Sequence, residues 1–528
     1  MKTIKKVILH NFKRFKHLEI IINPELNIFV GDNESGKSSI LQAIELVARG
    51  SRHRVEEIGL ERLMNIEVVN SFMSGSKSLD LIPEMYVELY FMDTGCMELE
   101  GANNSLHNPV AHGIKMVCKF NGEYGVHVRS LLENSAAVFP YEFYSIDFTT
   151  FSGSSYNGYT KYLNTIYIDN SQIGNPRAMN EYVRKIYLGQ VSFLDRMTNR
   201  HSYHTKKLEF SNEVLTKYNQ HIAPYRFSIK ESSVDNIETD INLLEYDVPI
   251  ENKGTGVQCF IKTELALKNA VEHTNSENSI DAVLIEEPEN HLSYTRMVQL
   301  IDMIKTAEQR QLFITTHSDL ISTRLNLKQC ILLNSSSSNS TSLAQLSEST
   351  ARFFMKAPDN NMLQFVLSKK VILVEGDAEF ILMDYFYKTI TGRDASPKQV
   401  AVIAVDGKCF KRYLEIARLL GMKVAVITDN DKNYEENIVH GYRDFTNDDN
   451  IKIFADRNDE LRTFEICLYN QNKALIDRAF TGLRKNGSLE FMLSNKAEAA
   501  FRLLENHSDA LQAPGYIKDA IQWIDALS

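Results

Sequence analysis

At 528 residues the chain is too long for one compact core, and domain-size statistics predict about three or four structural units. Its 43% hydrophobic and 24% charged residues are those of an ordinary globular protein, while a net charge of -10 excludes one that coats nucleic acid through bulk basicity. No apolar run approaches the ~18 residues that span a bilayer, and the opening MKTIKKVILHNFKRF turns polar too soon for a secretory signal. The six cysteines (Cys96, Cys118, Cys259, Cys330, Cys409, Cys467) include no C-x-x-C pair, so neither a disulfide framework nor a cysteine zinc site is expected. A cytoplasmic protein without a membrane partner is the expectation.

In chain order, strand-like runs at Lys6 to Leu9 and Leu26 to Val30 read as strands of an α/β core, and the second ends in GDNESGKSS. Gly31, Gly36, Lys37 and Ser38 fit G-x-x-x-x-G-K-[ST] between a strand, LNIFV, and a helix, SILQAIELVA. The glycines let backbone N–H groups curl around phosphate, Lys37 reaches the β and γ oxygens, and Ser38 ligates Mg²⁺. Asn33 and Ser39 complete this candidate nucleotide-binding loop.

The matching strands come late, at Ala282 to Ile285 and Leu312 to Thr315, so something is inserted between the halves. Within it, Pro176 to about Tyr225 has apolar positions at helical spacing, as in NEYVRKIYLGQVSFLDRM, and is expected to be helical. His201 and His204 of HSYH lack cysteine or acid partners at ligand spacing, which argues against zinc. The strand AVLIEEPENHL ends in Glu286, placed to hold Mg²⁺ through water, and Glu287, placed to orient an attacking water. LFITTHSDL presents His317 at another strand end, where an imidazole can sense the γ-phosphate.

The polar stretch NSSSSNSTS, Asn334 to Ser342, has nothing to bury and reads as a linker. Beyond it VILVEGDAEF, QVAVIAVDG and KVAVITDND alternate with helical segments, a βαβαβ pattern that predicts a parallel sheet with sites beyond the carboxyl ends of its strands. Glu375 stands at one such end, Asp429 and Asp431 at another, and Glu379 lies one helical turn past Glu375. Four carboxylates at one edge repel unless a cation neutralises them, and hard oxygen donors suit Mg²⁺ or Mn²⁺. The basic cluster KCFKR (Lys408, Lys411, Arg412) reads equally as a phosphate contact or a solvated helix start.

These motifs resemble a family. EEPENHL looks like the Walker B segment of ABC-type ATPases, and KGTGVQ, Lys253 to Gln258, looks like their signature loop. His317 looks like their switch histidine, and the order of motifs matches. The opening strands are similar to those of the SMC, RecF and OLD (overcoming lysogenization defect) ATPases, and VEGDAE with TDND resembles the Toprim metal site. An ATPase of this type followed by Toprim resembles the OLD nucleases.

The resemblance implies an α/β architecture: an ABC-type P-loop ATPase with a helical dimerisation insertion, then a Toprim α/β domain with a parallel sheet. The boundaries it implies are 1–170 and 246–345 for the ATPase halves, 171–245 for the insertion, and 346–528 for Toprim. It further implies ATP contacts from Gly254, Thr255 and Gly256 of a second subunit, hence a homodimer or dimer-based oligomer. By the same likeness, Glu465 of LRTFEICL serves a second metal with Glu379, and Lys518 of GYIKDAI stabilises phosphate charge. The implied activity is an ATP-regulated, metal-dependent DNA endonuclease in anti-phage defence, with a separately encoded partner such as a helicase or retron component. Glu286 in place of the usual first Walker B Asp, and Ser293 where many ABC proteins carry the D-loop Asp, predict slow hydrolysis. The alternatives are a topoisomerase- or primase-like Toprim enzyme, for which no tyrosine or zinc module is recognisable, and an SMC/RecN-like clamp, for which the insertion is too short a coiled coil.

Overall fold

The structure, a computed structural model, describes the chain except residues 1, 93–94, 134–137, 171–182, 185, 189, 216–236, 273–279, 307–309, 335–339, 358–360, 395–399, 406–408, 482–486, 508–509 and 527–528. It divides into two compact units, Met1–His317 with Leu333–Ser340, and Ser318–Leu332 with Thr341–Ser528.

In the first unit, β1 (Ile4–Phe12) turns through positive-φ Asn11 and Lys13 into β2 (Phe15–Ile21). So tight a turn can only return the chain antiparallel. β1 therefore belongs to an antiparallel sheet, apart from the sheet that holds Leu26 to Val30, the other run read as a core strand. β3 (Leu26–Gly31) leads into α1 (Lys37–Arg49), whose apolar face, Ile40, Leu41, Ile44 and Val47, is wholly buried. β4 (Met85–Phe91), β5 (Gly113–Phe120) and β6 (Tyr144–Thr150) complete the antiparallel sheet in the order β2-β1-β4-β5-β6. Its Val7, Leu9, Val87, Leu89, Ile114 and Met116 are buried on one face, and β4 and β5 pack on α1.

β7 (Thr165–Asp169) belongs to the parallel sheet. In the interval expected to be a helical insertion, α2 (Phe193–Phe210) is capped by Ser192, whose side chain accepts from Asp195 N. Buried Glu238 pairs with Arg200 there (Nε to Oε1 2.9 Å), and residues 171–182 and 216–236 of this interval lie outside the described residues. His201 and His204 are both exposed on α2. α3 (Thr255–Glu272), β8 (Ala282–Glu286), α4 (Tyr294–Thr306) and β9 (Gln311–Thr316) follow. β3, β9, β8 and β7 are neighbours in that order, all parallel, with Glu286 in register with both Thr315 and Asp169. The ends of all four strands thus reach one edge.

The second unit carries β10 (Lys370–Val374), α5 (Asp377–Thr391), β11 (Ala401–Ala404), α6 (Phe410–Leu420), β12 (Lys423–Ile427) and β13 (Ile451–Phe454). The strands form a parallel sheet in the order β11-β10-β12-β13. This is the expected βαβαβ unit with one added strand. Fully buried β-branched and aliphatic runs such as VILV and VAVI are what a sheet covered on both faces requires. α7 (Phe464–Gln471), α8 (Lys496–His507) and α9 (Gly515–Ala526) supply Phe464, Leu503, Ile517, Ile521 and Ile524 to the core. Among the described residues no helix is long and apolar enough to cross a membrane, and all six cysteines are free thiols.

Candidate active sites

The first site lies at the carboxyl edge of the first unit's parallel sheet. Gly31 ends β3, and Gly36 caps α1 at φ 95, a left-handed conformation that favours glycine. A Cβ on Gly36 would come within 2.3 Å of the Phe15 ring, so the β1–β2 hairpin closes against the loop and only glycine fits. Lys37, 5% exposed, folds back to donate from Nζ to Gly31 O (2.8 Å) and Asp32 O (3.0 Å). Burial pushes its ammonium down to about 8, against the pull of Glu287, Asp32, Glu289 and Glu286. A desolvated cation at a helix N-terminus is primed for a polyphosphate.

Across the edge, Glu286 accepts hydrogen bonds from the Ser38 hydroxyl and the Tyr167 phenol, yet burial keeps its carboxyl above the usual range. Glu287 adopts φ 44 and ties β8 to β9 through its N–H to Thr315 O (3.0 Å). Its Oε2 accepts from Asn290 Nδ2 (2.7 Å), and its Oε1 lies 3.4 Å from His317 Nε2. Burial, then Lys37, lowers the pKa of His317, which disfavours its charged form against the pull of Glu287 and Asp32. The candidate phosphate loop, acid pair and histidine expected from sequence are therefore brought together. Asn33 is exposed on the loop, and Ser39 follows Ser38 in the first turn of α1.

At the candidate signature loop, Gly254 faces open space, and Thr255 begins α3. Gly256 lies so close to the neighbouring turn that a Cβ would meet His291 O at 2.1 Å. Gln258 Nε2 braces the loop through Glu251 O (3.0 Å) and Lys253 O (2.7 Å).

The second site lies at the carboxyl edge of the second unit's sheet. Glu375 follows β10, and its Oε2 accepts weakly from Thr428 Oγ1 and Asp429 N, both 3.4 Å, where the chain leaves β12. Asp429 Oδ1 accepts from Phe464 N (2.8 Å), which brings α7 and its Glu465 to the same edge. Glu379, in the first turn of α5, is 7% exposed, and Glu465 2%. Burial, reinforced by Glu375, Glu379 and Glu465, pushes Asp429 up to about 8. Burial with Glu465 and Glu375 pushes Glu379 up to about 7. Asp431 is exposed at φ 51.

Asn430, between the two aspartates and 1% exposed, explains the loop's shape. Its Nδ2 donates to Asp456 O and Asn458 O (2.9 Å each), and its Oδ1 accepts from Lys432 N (2.9 Å). These bonds clamp the turn so that Asp429 points inward while Asp431 stays at the rim.

Two lysines bear on this site, the expected Lys518 and one that no sequence motif picks out. Lys518 is exposed on α9, two positions past buried Tyr516, about 200° around the helix from it. At the cluster stands Lys496, the first residue of α8, with Nζ 3.0 Å from Glu465 Oε1. Burial opposes its charge, but Glu465, Asp429 and Glu379 raise its pKa. Of the basic cluster, Lys408 lies outside the described residues. Arg412 donates to Thr350 Oγ1 (2.8 Å), and Lys411 sits over the Tyr442 ring.

Among the described residues, no three His, Cys, Asp or Glu side chains already stand around one point as a metal cage. The donors nonetheless fit a hard divalent cation: all are carboxylate oxygens, and Oε2 of buried Glu465 has no hydrogen-bond partner while its Oε1 faces Lys496. The groups that sequence motifs missed, Tyr167, Glu289, Asn430 and Lys496, act through tertiary placement. The one local signal was acid density, as in EEPEN.

Residues 1–213 and 193–321 match the AAA ATPase domain family, more than half of the chain, and residues 366–431 match the family described as overcoming lysogenization defect protein-like, TOPRIM domain. Over 171 residues the chain is 24% identical to the Old nuclease of Escherichia phage P2, covering 30% of this chain and 29% of that protein. Over 51 residues it is 41% identical to the DNA replication and repair protein RecF of Lactococcus lactis subsp. cremoris, 10% of this chain and 14% of that one. The chain thus spans under a third of the length of these curated relatives. Among solved structures, the recombination mediator RecF with ATP aligns with a TM-score of 0.36 at 12% identity, over 63% of this chain and 98% of that one. The SMC head domain from Thermotoga maritima aligns at 0.29 and 15%, over 64% and 97%. With the model matching residues 1–321, the chain belongs to the AAA ATPase domain family, and its residues 366–431 are similar to the OLD-like TOPRIM domain.

Proposed function

We propose that this protein is an ATP-regulated, divalent-metal-dependent DNA endonuclease. The observation that carries the reading is the gathering of Glu375, Glu379, Asp429 and Glu465 at one sheet edge with Lys496 as the neighbouring cation, in a chain that also carries a phosphate loop. Glu375, Asp429 and Asp431 would hold one Mg²⁺ or Mn²⁺, and Glu379 with Glu465 a second. Such ions, when bound, supply a water nucleophilic at neutral pH and stabilise the leaving oxygen of a phosphodiester. Asn430 keeps the two aspartates apart, and Lys496 places positive charge where a scissile phosphate gains negative charge. In the first unit Lys37 and the α1 N-terminus would hold ATP phosphates, Ser38 and Glu286 would serve its Mg²⁺, and Glu287 with His317 would orient water.

DNA as substrate and a setting in anti-phage defence follow from the likeness to OLD nucleases. A homodimer or dimer-based oligomer follows from the Gly254–Gly256 loop, which would close on nucleotide held by a second copy. A helicase or retron component encoded separately fits the same setting.

Two substitutions test the separate halves. Lys37→Ala is expected to weaken ATP binding by on the order of a hundredfold without unfolding, because the lysine supplies charge and not packing; calorimetry showing unchanged affinity would remove it from the nucleotide site. Lys496→Ala is expected to lower nicking and, in EDTA, the melting temperature, since Glu465 loses its counter-charge. Mn²⁺ should restore the melting temperature. A melting temperature that ignores Mn²⁺ would argue against a cation site beside Glu465.

A further inference from the structure

Between the acids after β8 and the histidine after β9 lies a carboxylate that no sequence motif picks out. Glu289 follows Glu287 across buried Pro288 and turns back toward β9. Its Oε1 accepts from the main-chain N–H of His317 (2.6 Å) and from Thr316 Oγ1 (2.7 Å). Its Oε2 is enclosed without a hydrogen bond.

The geometry matters because His317 has just left the sheet. Thr316 is the last residue of β9 paired to β3, so the next N–H has no strand to meet and takes Glu289 instead. The imidazole of that residue is the one placed 3.4 Å from Glu287 Oε1, and Glu287 is itself fixed by Asn290 and by Thr315 O. The two turns are thus laced together from both sides. Glu287 grips the histidine by its ring, and Glu289 by its backbone.

We propose that Glu289 is a positioning residue of the ATPase: by holding the main chain of His317 and the hydroxyl of Thr316 it sets where the imidazole stands relative to Glu287. It acts through His317 and does not itself touch nucleotide. The inference rests on the ATPase reading given above. A misplacement of about 1 Å at such a site is enough to cost on the order of a hundredfold in rate.

The test is ATP turnover and ATP affinity in Glu289→Ala and Glu289→Gln, with the melting temperature of each nucleotide-free variant. Glu289→Ala should lower kcat at least about tenfold while ATP affinity stays within about threefold, the pattern of a group needed only for the chemical step. Glu289→Gln should recover kcat to within about threefold, because its amide oxygen still accepts both bonds. Wild-type turnover by the alanine variant overturns the proposal. So does a parallel loss of affinity and melting temperature, which marks a structural tie, and so does a glutamine variant as slow as alanine. Absence of hydrolysis by the wild-type protein overturns the ATPase reading together with this one, whereas an active wild type with an unaffected alanine variant overturns this one alone.

Discussion

Replacing Asp429 with asparagine should reduce plasmid nicking in Mg²⁺ or Mn²⁺ by on the order of a thousandfold, about 4 kcal/mol of transition-state stabilisation. ATP turnover should be spared. Asparagine is the informative choice because its amide oxygen can still accept the Phe464 N–H (2.8 Å in the native protein) while the charge is removed. Stability supplies the second arm. Asp429 is pushed up to about 8 and Glu379 to about 7, chiefly by burial, so between about pH 4 and those values the metal-free folded protein binds protons that the unfolded chain does not. Their stabilising protonation is complete below the unfolded pKa and is lost as pH rises through 7 to 8. In EDTA the wild-type melting temperature should therefore fall as pH is raised from 6 to 9. Asp429→Asn should flatten that fall and melt higher than wild type at pH 8.5. A variant that loses nicking and also melts far lower in EDTA would show a structural acid rather than a metal ligand.

Glu287→Gln should bind ATP as wild type does and turn it over on the order of a hundredfold more slowly. The amide cannot act as a base toward water, yet it preserves the size of the side chain that Asn290 Nδ2 holds at 2.7 Å. Trapping of ATP should favour the closed dimer, visible by light scattering as a species larger than the nucleotide-free protein. Hydrolysis at the wild-type rate would move the water-orienting role to another group, with His317 nearest at hand.

What could be read in advance depended on how local each feature is. The phosphate loop is nine contiguous residues with a strand before and a helix after, and Glu286, Glu375 and Asp429 each end an apolar run. In parallel sheets such ends share an edge, so the gathering of acids was legible without coordinates. The antiparallel sheet was less so. GIKMVCKF sets half-buried Lys115 and exposed Lys119 among buried Ile114, Met116 and Cys118, a pattern that blurs into the polar background, and MYVELYF is buried at every position but Tyr86, its Glu88 included, so it shows no alternation at all. Lys496 and Lys518 were indistinguishable in sequence, each at the start of an amphipathic helix. Only the packing of α8 against α5 directs Lys496 to Glu465, while helical rotation from Tyr516 leaves Lys518 exposed. Tyr167 and Glu289 act through partners 119 and 28 residues away, a separation that no motif encodes.

The most direct measurement of the whole account is nicking of supercoiled plasmid by the wild-type protein, with Mg²⁺, Mn²⁺ or EDTA, each with and without ATP. The account predicts conversion to open circle with either metal, none in EDTA, and a rate that changes when ATP is added. Intact plasmid under every metal condition, or cleavage that persists in EDTA, would contradict it.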